Sequence, residues 1–488
     1  MMRFNKIKIL VGLIVMCVVA MTSNIAYAIV EVNGNNDNVK KERHIIKLKK
    51  DKKNDKKTDA EIQSEYTNDV HRVFSLSDCV DIAIKCNPVI RAYLCDEEVY
   101  KSKIGQAWAN FFPTISAGID IERFGQTYSK TYPGVGSQYV TMGYIPNVSG
   151  EMLLFDFGKT KATADTVRRM YEAKQADTKE TINTVIYDIK TTYYNVLFAQ
   201  AQVHVYEDTV KDYELQLAQA WGFYNIGKKA KIDVVTAEYN LGKAQLNLVK
   251  AKSVLEIALV KLSRIMGIPE YTNYELSDQL LLNDYKNDVE TDINTAFEVR
   301  PELISAKKGV DAAKMNLRAK RRDFTPDLGV FAGYGNRLGN KYNMYSGQFG
   351  AALSYSNLNL MRVKKEVDEA KASLKRSEAE YENVKHTVYL NVKKNYIDLQ
   401  TAKQEILIAK LALDQAKEQY RQVTGRYKAG VGDAIELKDG ENTYLNARLD
   451  FYNAMLNYNV AAASLEREIG VPIKFSDELI LDISKEHK

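Results

Sequence analysis

The sequence predicts a chain of mixed α and β class, with long coiled-coil helices joined to membrane-crossing β-hairpins and the whole pattern written twice. Three observations carry this. Landmark residues recur at fixed offsets between the two halves, apolar residues return about every 3.5 positions along two rods, and runs of apolar–polar alternation precede each rod.

The first residues read as a secretory signal over 1–28. Arg3, Lys6 and Lys8 form a basic start, ILVGLIVMCVVAM an apolar run, and Ala26-Tyr27-Ala28 a cleavage site, so the mature chain is expected to begin at Ile29. Cys17 lies within the apolar run without the small residues that a lipid-attachment site places before it, and reads as part of the signal. Residues 29–73 are expected to form a solvated, disordered basic arm. Its centre, KKERHIIKLKKDKKNDKK from Lys40 to Lys57, holds ten Lys or Arg against three acids, too charged a composition to bury a core. Contact with anionic cell-wall polymer is the sharper reading of the arm. Once signal and arm are set aside, the net charge of +5 leaves a near-neutral remainder, which gives no support to a nucleic-acid partner.

No other run of about 18 apolar residues occurs, which excludes a helical membrane span from the mature chain but leaves a β-barrel open. Cys79, Cys86 and Cys95 match no metal pattern; Cys79 and Cys86 would sit roughly 10 Å apart along a helix, too far to bond, and all three are expected to be small buried residues. His44, His71, His204, His386 and His487 are scattered. Neither a glycine-rich phosphate loop nor a G-x-S-x-G or H-E-x-x-H motif is present, so no enzyme, cofactor or metal is expected.

The doubling is explicit. Gly227 and Gly430, Asp233 and Glu436, and Gly267-Ile-Pro269 and Gly470-Val-Pro472 are all 203 residues apart. Asn87-Pro88 with Arg300-Pro301, and Phe112-Pro113 with Thr325-Pro326, are 213 apart, so the first copy carries ten extra residues between Pro113 and Asp156, where a surface loop would lengthen. The copies are placed at 74–269 and 292–472, with an inter-repeat segment at 270–291 and a tail at 473–488.

Within each copy the period changes in the same order. Two alternating runs, about 114–124 with 138–154 and about 327–336 with 344–356, read as β-hairpins: in TISAGIDIE, Ile115, Ala117, Ile119 and Ile121 point one way and Ser116, Gly118, Asp120 and Glu122 the other. Tyr128, Tyr139, Tyr334, Tyr345 and Tyr355 fall near strand ends, as membrane-interface aromatics do. The rods follow, from about Lys159 to Tyr224 and from about Met361 to Tyr427, each roughly 100 Å long at 1.5 Å per residue. Four strands cannot close a barrel, because an open sheet would leave edge amides unpaired in hydrocarbon; several chains must therefore pool their strands.

With these landmarks in place, the chain resembles the TolC family of outer-membrane efflux proteins over about residues 74–475. The resemblance rests on the paired NP and RP breaks, FFPTIS and FTPDLG entering the strands, LFDFGKTKA opening the first rod, the turns YNIGKKAKID and YKAGVGDAIE, and GIP with GVP closing each copy. It implies a homotrimer with a twelve-stranded outer-membrane barrel, four strands per chain, and an α-helical tunnel across the periplasm. It also implies that the helical tips at 224–233 and 427–436 meet a periplasmic membrane-fusion adaptor and an inner-membrane pump of RND or ABC type. The implied function is the exit duct of a tripartite efflux or type I secretion system, embedded in outer-membrane lipid. A periplasm-spanning coiled-coil tether, or a structural protein of the cell surface, is the alternative.

The same resemblance implies site residues. Glu436 and Asp439 stand where the family carries a ring of entrance carboxylates, and Asp233 with Tyr427 where it carries a closing latch. Gly432 stands where that latch would have an Arg, so the ion-pair part of the latch is either absent or supplied by a neighbour such as Arg426 or Lys428. Gly227, Lys228, Gly430, Val431 and Gly432 would form the adaptor-contact turns. Acids in the first turn of a helix are stabilised by its dipole whatever their role, which is the plainer account of Asp233, Glu436 and Asp439.

Overall fold

The computed structural model describes residues 72–128, 137–268, 274–277, 285, 288–339, 343–355 and 359–472. The expected signal, almost all of the basic arm, the tail and most of the inter-repeat segment lie outside the described residues. A short strand β1 (Arg72–Phe74) leads to helices α1 (Leu76–Cys86) and α2 (Pro88–Trp108), strands β2 (Thr114–Tyr128) and β3 (Ser137–Phe155), and helices α3 (Lys159–Asn225) and α4 (Lys231–Met266). After β4 (Tyr274–Leu276) come α5 (Val289–Val299), α6 (Pro301–Arg321), β5 (Asp327–Gly339), β6 (Asn343–Ser354), α7 (Leu360–Lys428) and α8 (Ala434–Ile469).

Each boundary has a local cause. Ser75 caps α1 by accepting from the Asp78 N–H at 3.3 Å while Asp78 accepts from the Ser75 N–H at 3.0 Å. Asn87 then caps α2 through Val89 N–H at 2.8 Å, with Pro88 at the first helical position, and its amide donates to Ile265 O at 2.8 Å, tying the α1–α2 corner to the end of α4. α4 stops at Gly267 in the left-handed region, φ 78°, against the Cys86 carbonyl: a Cβ there would fall 2.6 Å from that oxygen. At the matching corner Arg300 is buried and paired with Glu468 at 2.6 Å and Glu302 at 3.1 Å. The motif LFDFGKTKA is a strand-to-helix corner in which Phe157 (φ 52°) and Gly158 (φ 83°) reverse the chain and Asp156 accepts from the Gly158 and Thr160 N–H groups.

β2–β3–β5–β6 form one antiparallel sheet in that order, and β1 pairs with β4 in parallel. The register places Ile115, Ala117, Ile119 and Ile121 opposite Gly150, Val148, Pro146 and Tyr144. Val148 and Gly150 pair with Tyr334 and Ala332, and Ala332 and Val330 pair with Phe349 and Ala351. Because directly paired residues share a face, one face of the sheet is apolar across all four strands. The other carries Ser116, Asp120, Asn147, Ser149 and Gln348 among glycines, with Asn147 donating to Asp120 at 2.7 Å. The strands run past their expected ends, β2 to Tyr128 and β5 to Gly339, because backbone pairing continues after the side-chain alternation fades. Tyr334 and Tyr355 are exposed; the side chains of Tyr128, Tyr139 and Tyr345 lie outside the description.

The main core lies at mid-length. There α1, the C-terminal ends of α4 and α8, and α5 meet the centres of α3 and α7 around Ile189, Tyr193, Leu262, Leu399, Tyr458 and Leu465. Towards the sheet, α2 and α6 take the places of α4 and α8 against the long helices, and α6 contacts both α3 and α7. The buried side of α7, including Val367, Val388, Val392, Leu399, Ala402, Ile406, Ala416 and Val423, follows the expected seam. The cysteine expectation needs correcting: Cys79 is buried, but Cys86 is only half-buried and Cys95 is exposed on α2, and none of the three is in a disulfide. Helical spacing says which residues share a face, but it cannot say which face is covered.

Candidate functional site

The two helical tips are built alike. α3 ends as Gly227 (φ 71°) donates to Tyr224 O and Lys228 N–H donates to Phe223 O, both at 2.9 Å. α7 ends as Gly430 (φ 79°) donates to Tyr427 O at 3.0 Å while Val431 and Gly432 both donate to Arg426 O. Positive φ costs Gly little, which is why glycine stands at both turns. Gly432 has a separate, steric reason, since a Cβ there would lie 2.8 Å from Tyr427 N and 3.0 Å from Arg426 C. No side chain, arginine included, fits that position without moving the turn.

Lys228 and Val431 are exposed at the ends of the tips, as are Ile226, Ile232 and Ile435. Asp233 is half-buried and its carboxylate accepts from Ala230 N–H at 3.1 Å, capping α4. Tyr427 is buried against Val423 and Leu437; its ring meets Phe223 edge-on at 6.3 Å, and Lys229 Nζ sits 4.3 Å from the ring centre. Among the described residues no hydrogen bond joins Asp233 to Tyr427; contact between the two tips here runs through Phe223 and Lys229. Glu436 is paired with Arg426 at 2.6 Å, both substantially exposed, and Asp439 is exposed. Arg426 therefore supplies a charge at the tip, but within the second hairpin.

One polar group behind the tip was not singled out by sequence reasoning. Glu441 on α8 is 4 % exposed, and its Oε2 accepts from Gln216 Nε2 on α3 at 2.9 Å. Burial, with Asp212 adding like charge, pushes its carboxyl up to about 7. Burial likewise raises Asp212, which accepts from Tyr420 at 3.4 Å, and raises the Tyr213 and Tyr420 phenols. The available signal was its spacing, four residues after Leu437 on the side of α8 that continues through Ala447 and Phe451. Among the described residues no three His, Cys, Asp or Glu side chains come together as a metal centre requires, and no helix is long and apolar enough to cross a membrane.

A sheet with one continuous apolar face, joined to helix pairs some 67 to 69 residues long in their longer members, has the fold of an outer-membrane channel protein. The chain belongs to the outer membrane efflux protein family, whose model matches residues 79–268 and 293–471. Its place is therefore the outer membrane, with the helical part in the periplasm. It is 23 % identical over 409 residues to the outer membrane protein TolC of Escherichia coli, covering 79 % of this chain and 80 % of that one. It is 21 % identical over 405 residues to the alkaline protease secretion protein AprF of Pseudomonas aeruginosa, covering 80 % and 79 %. The crystal structure of the Campylobacter jejuni CmeC outer membrane channel superposes with a TM-score of 0.66 at 16 % identity, covering 88 % of this chain and 90 % of that one.

Proposed function

We propose that three copies of this chain form an outer-membrane channel-tunnel, the exit duct of a tripartite efflux or type I secretion system. One observation carries the reading: a four-stranded sheet with an apolar face, a polar face and two edges, β2 and β6, that are unpaired among the described residues. In hydrocarbon such edges must be paired, so neighbouring copies join edge to edge, apolar face to lipid and polar face to a water-filled lumen. Three chains give twelve strands. The identical order of two helices, two strands, a long helix and a second helix on either side of β4 supports an internal two-fold repeat. Further support comes from exposed apolar residues on the rods, Ile232, Val235, Tyr239, Leu246 and Val249 on α4 and Leu390, Ile397, Ile408 and Leu411 on α7, which a single chain leaves uncovered.

The tips are then the periplasmic entrance. Glu436 and Asp439 of three copies place six carboxylates around it, favouring cations, while Gly227, Lys228, Gly430, Val431 and Gly432 present the surface for an adaptor that links to an inner-membrane pump. Asp233 and Tyr427 steady the tips, the one by capping α4 and the other by packing on the first hairpin. A tether would have no use for an apolar sheet face. The test is the mass of the detergent-solubilised particle together with its conductance in a planar bilayer: three chains and discrete pores are expected, and a non-conducting monomer overturns the reading.

A further inference from the structure

Glu441 occupies an unusual place. Gly440 brings α8 so close to α7 that an added Cβ would lie 2.6 Å from Val423 Cγ2, and the next residue turns its carboxyl onto α3. There Gln216 satisfies Oε2, while among the described residues the buried Oε1 has no hydrogen-bond partner. Among the described residues no cation acts on Glu441 itself; the nearby positive charges act on its acidic neighbours. From α3 come Asp208, Asp212 and Tyr213, the phenol neighbouring the carboxyl without closing a bond on Oε1. From α7 come Tyr420, already donating to Asp212, and Lys428, whose charge acts on Asp212. On α8 itself Arg448 is committed to Asp208 at 3.0 Å. A negative carboxylate in this setting is buried, half-satisfied and beside another acid; a neutral carboxyl removes the buried charge and the repulsion.

We propose that Glu441 is a proton-operated clasp between the two hairpins: protonated, it holds α8 against α3, and on losing the proton it loosens the second tip from the first. The consequence for the entrance rests on the exit-duct reading, but the clasp itself does not. Its direction follows from linkage. A carboxyl raised from 4.5 to about 7 in the closed form binds more protons there than when exposed. Closure is therefore fully supported below the ordinary carboxylate range and weakens as pH rises through about 7. Acid holds the hairpins together and mild alkali frees them.

Hydrogen exchange on the full chain in detergent tests the clasp directly, read as protection of amides 434–448 relative to unstructured rates. Wild-type protection is expected to fall about tenfold between pH 6 and pH 8, as a single titration near 7 requires. Glu441→Gln, permanently neutral, should show a flat profile, and Asp212→Asn should move the wild-type midpoint to lower pH. Wild-type protection independent of pH, or a Glu441→Gln profile that still falls tenfold, overturns the proposal. Planar-bilayer recording separates the two readings: absence of pores removes the exit duct and leaves the exchange result standing, whereas pores with pH-flat exchange remove only the clasp.

Discussion

Arg426 Nη1 lies 2.6 Å from Glu436 Oε1, so the acid that the family pattern assigns to the entrance is neutralised in part by a residue ten positions earlier on the same hairpin. Removing the guanidinium exposes a charge that the pair conceals. Arg426→Ala is expected to increase the cation-to-anion permeability ratio in planar bilayers, with a stability change within about 0.5 kcal/mol because the pair is exposed. An unchanged ratio would place Glu436 away from the conducting path.

The complementary change acts in the opposite direction. Glu436→Ala with Asp439→Ala should lower the same ratio and relieve block by divalent cations, since the proposed trimer would lose six carboxylates at its entrance. The comparison of both variants on one electrode setup is the check, because a general disturbance of the tip would not move selectivity in opposite senses.

Gly432 bears a steric constraint that Gly227 does not. Gly432→Ala or Gly432→Arg sets a Cβ 2.8 Å from Tyr427 N, and the turn must shift at a cost of about 1–3 kcal/mol. The expected result is faster proteolysis at the second tip with the sheet intact, measured by limited digestion and peptide mapping.

The two faces of the sheet should respond differently to charge. Ile119→Arg or Phe349→Arg on the apolar face is expected to destabilise the inserted form by about 2–4 kcal/mol near the membrane midplane, whereas Ser149→Arg on the polar face should cost little. Denaturant titration of the protein folded into vesicles gives both values.

The uncovered stripes on the rods make a further prediction. Leu246→Asp on α4 or Ile408→Asp on α7 should leave single-chain helicity unchanged while shifting the detergent-solubilised particle from the proposed trimer to smaller species, read by mass photometry.

Much of the fold was legible because long periodic stretches suppress ambiguity: the seam from Val367 to Tyr427 has only one reading, and Gly227 and Gly430 stand just past the two long helices, where the chain must turn. The strand ends were less visible, since β2 beyond Phe124 is held by backbone pairing to β3 through residues that no longer alternate. Arg426 was legible as a source of charge at the tip, but its pairing with Glu436 depends on the fold of the turn. Glu441 was hidden for a different reason: one more acid after Glu436 and Asp439 on a polar helix resembles any solvated residue until α3 is brought across it. Cys95 misled because residue type, without the packing partner, does not choose between the two sides of α2.

The cluster around Ile189, Leu399 and Leu465 lies near the middle of both long helices, with the 36-residue helices α4 and α8 running from there to the tips. Each distal pair thus extends about 54 Å beyond that packed collar. On the proposed exit-duct reading, a swing of about 5° at that collar would carry the far end sideways by roughly 5 Å, enough to widen an entrance lined by the tips without moving the sheet.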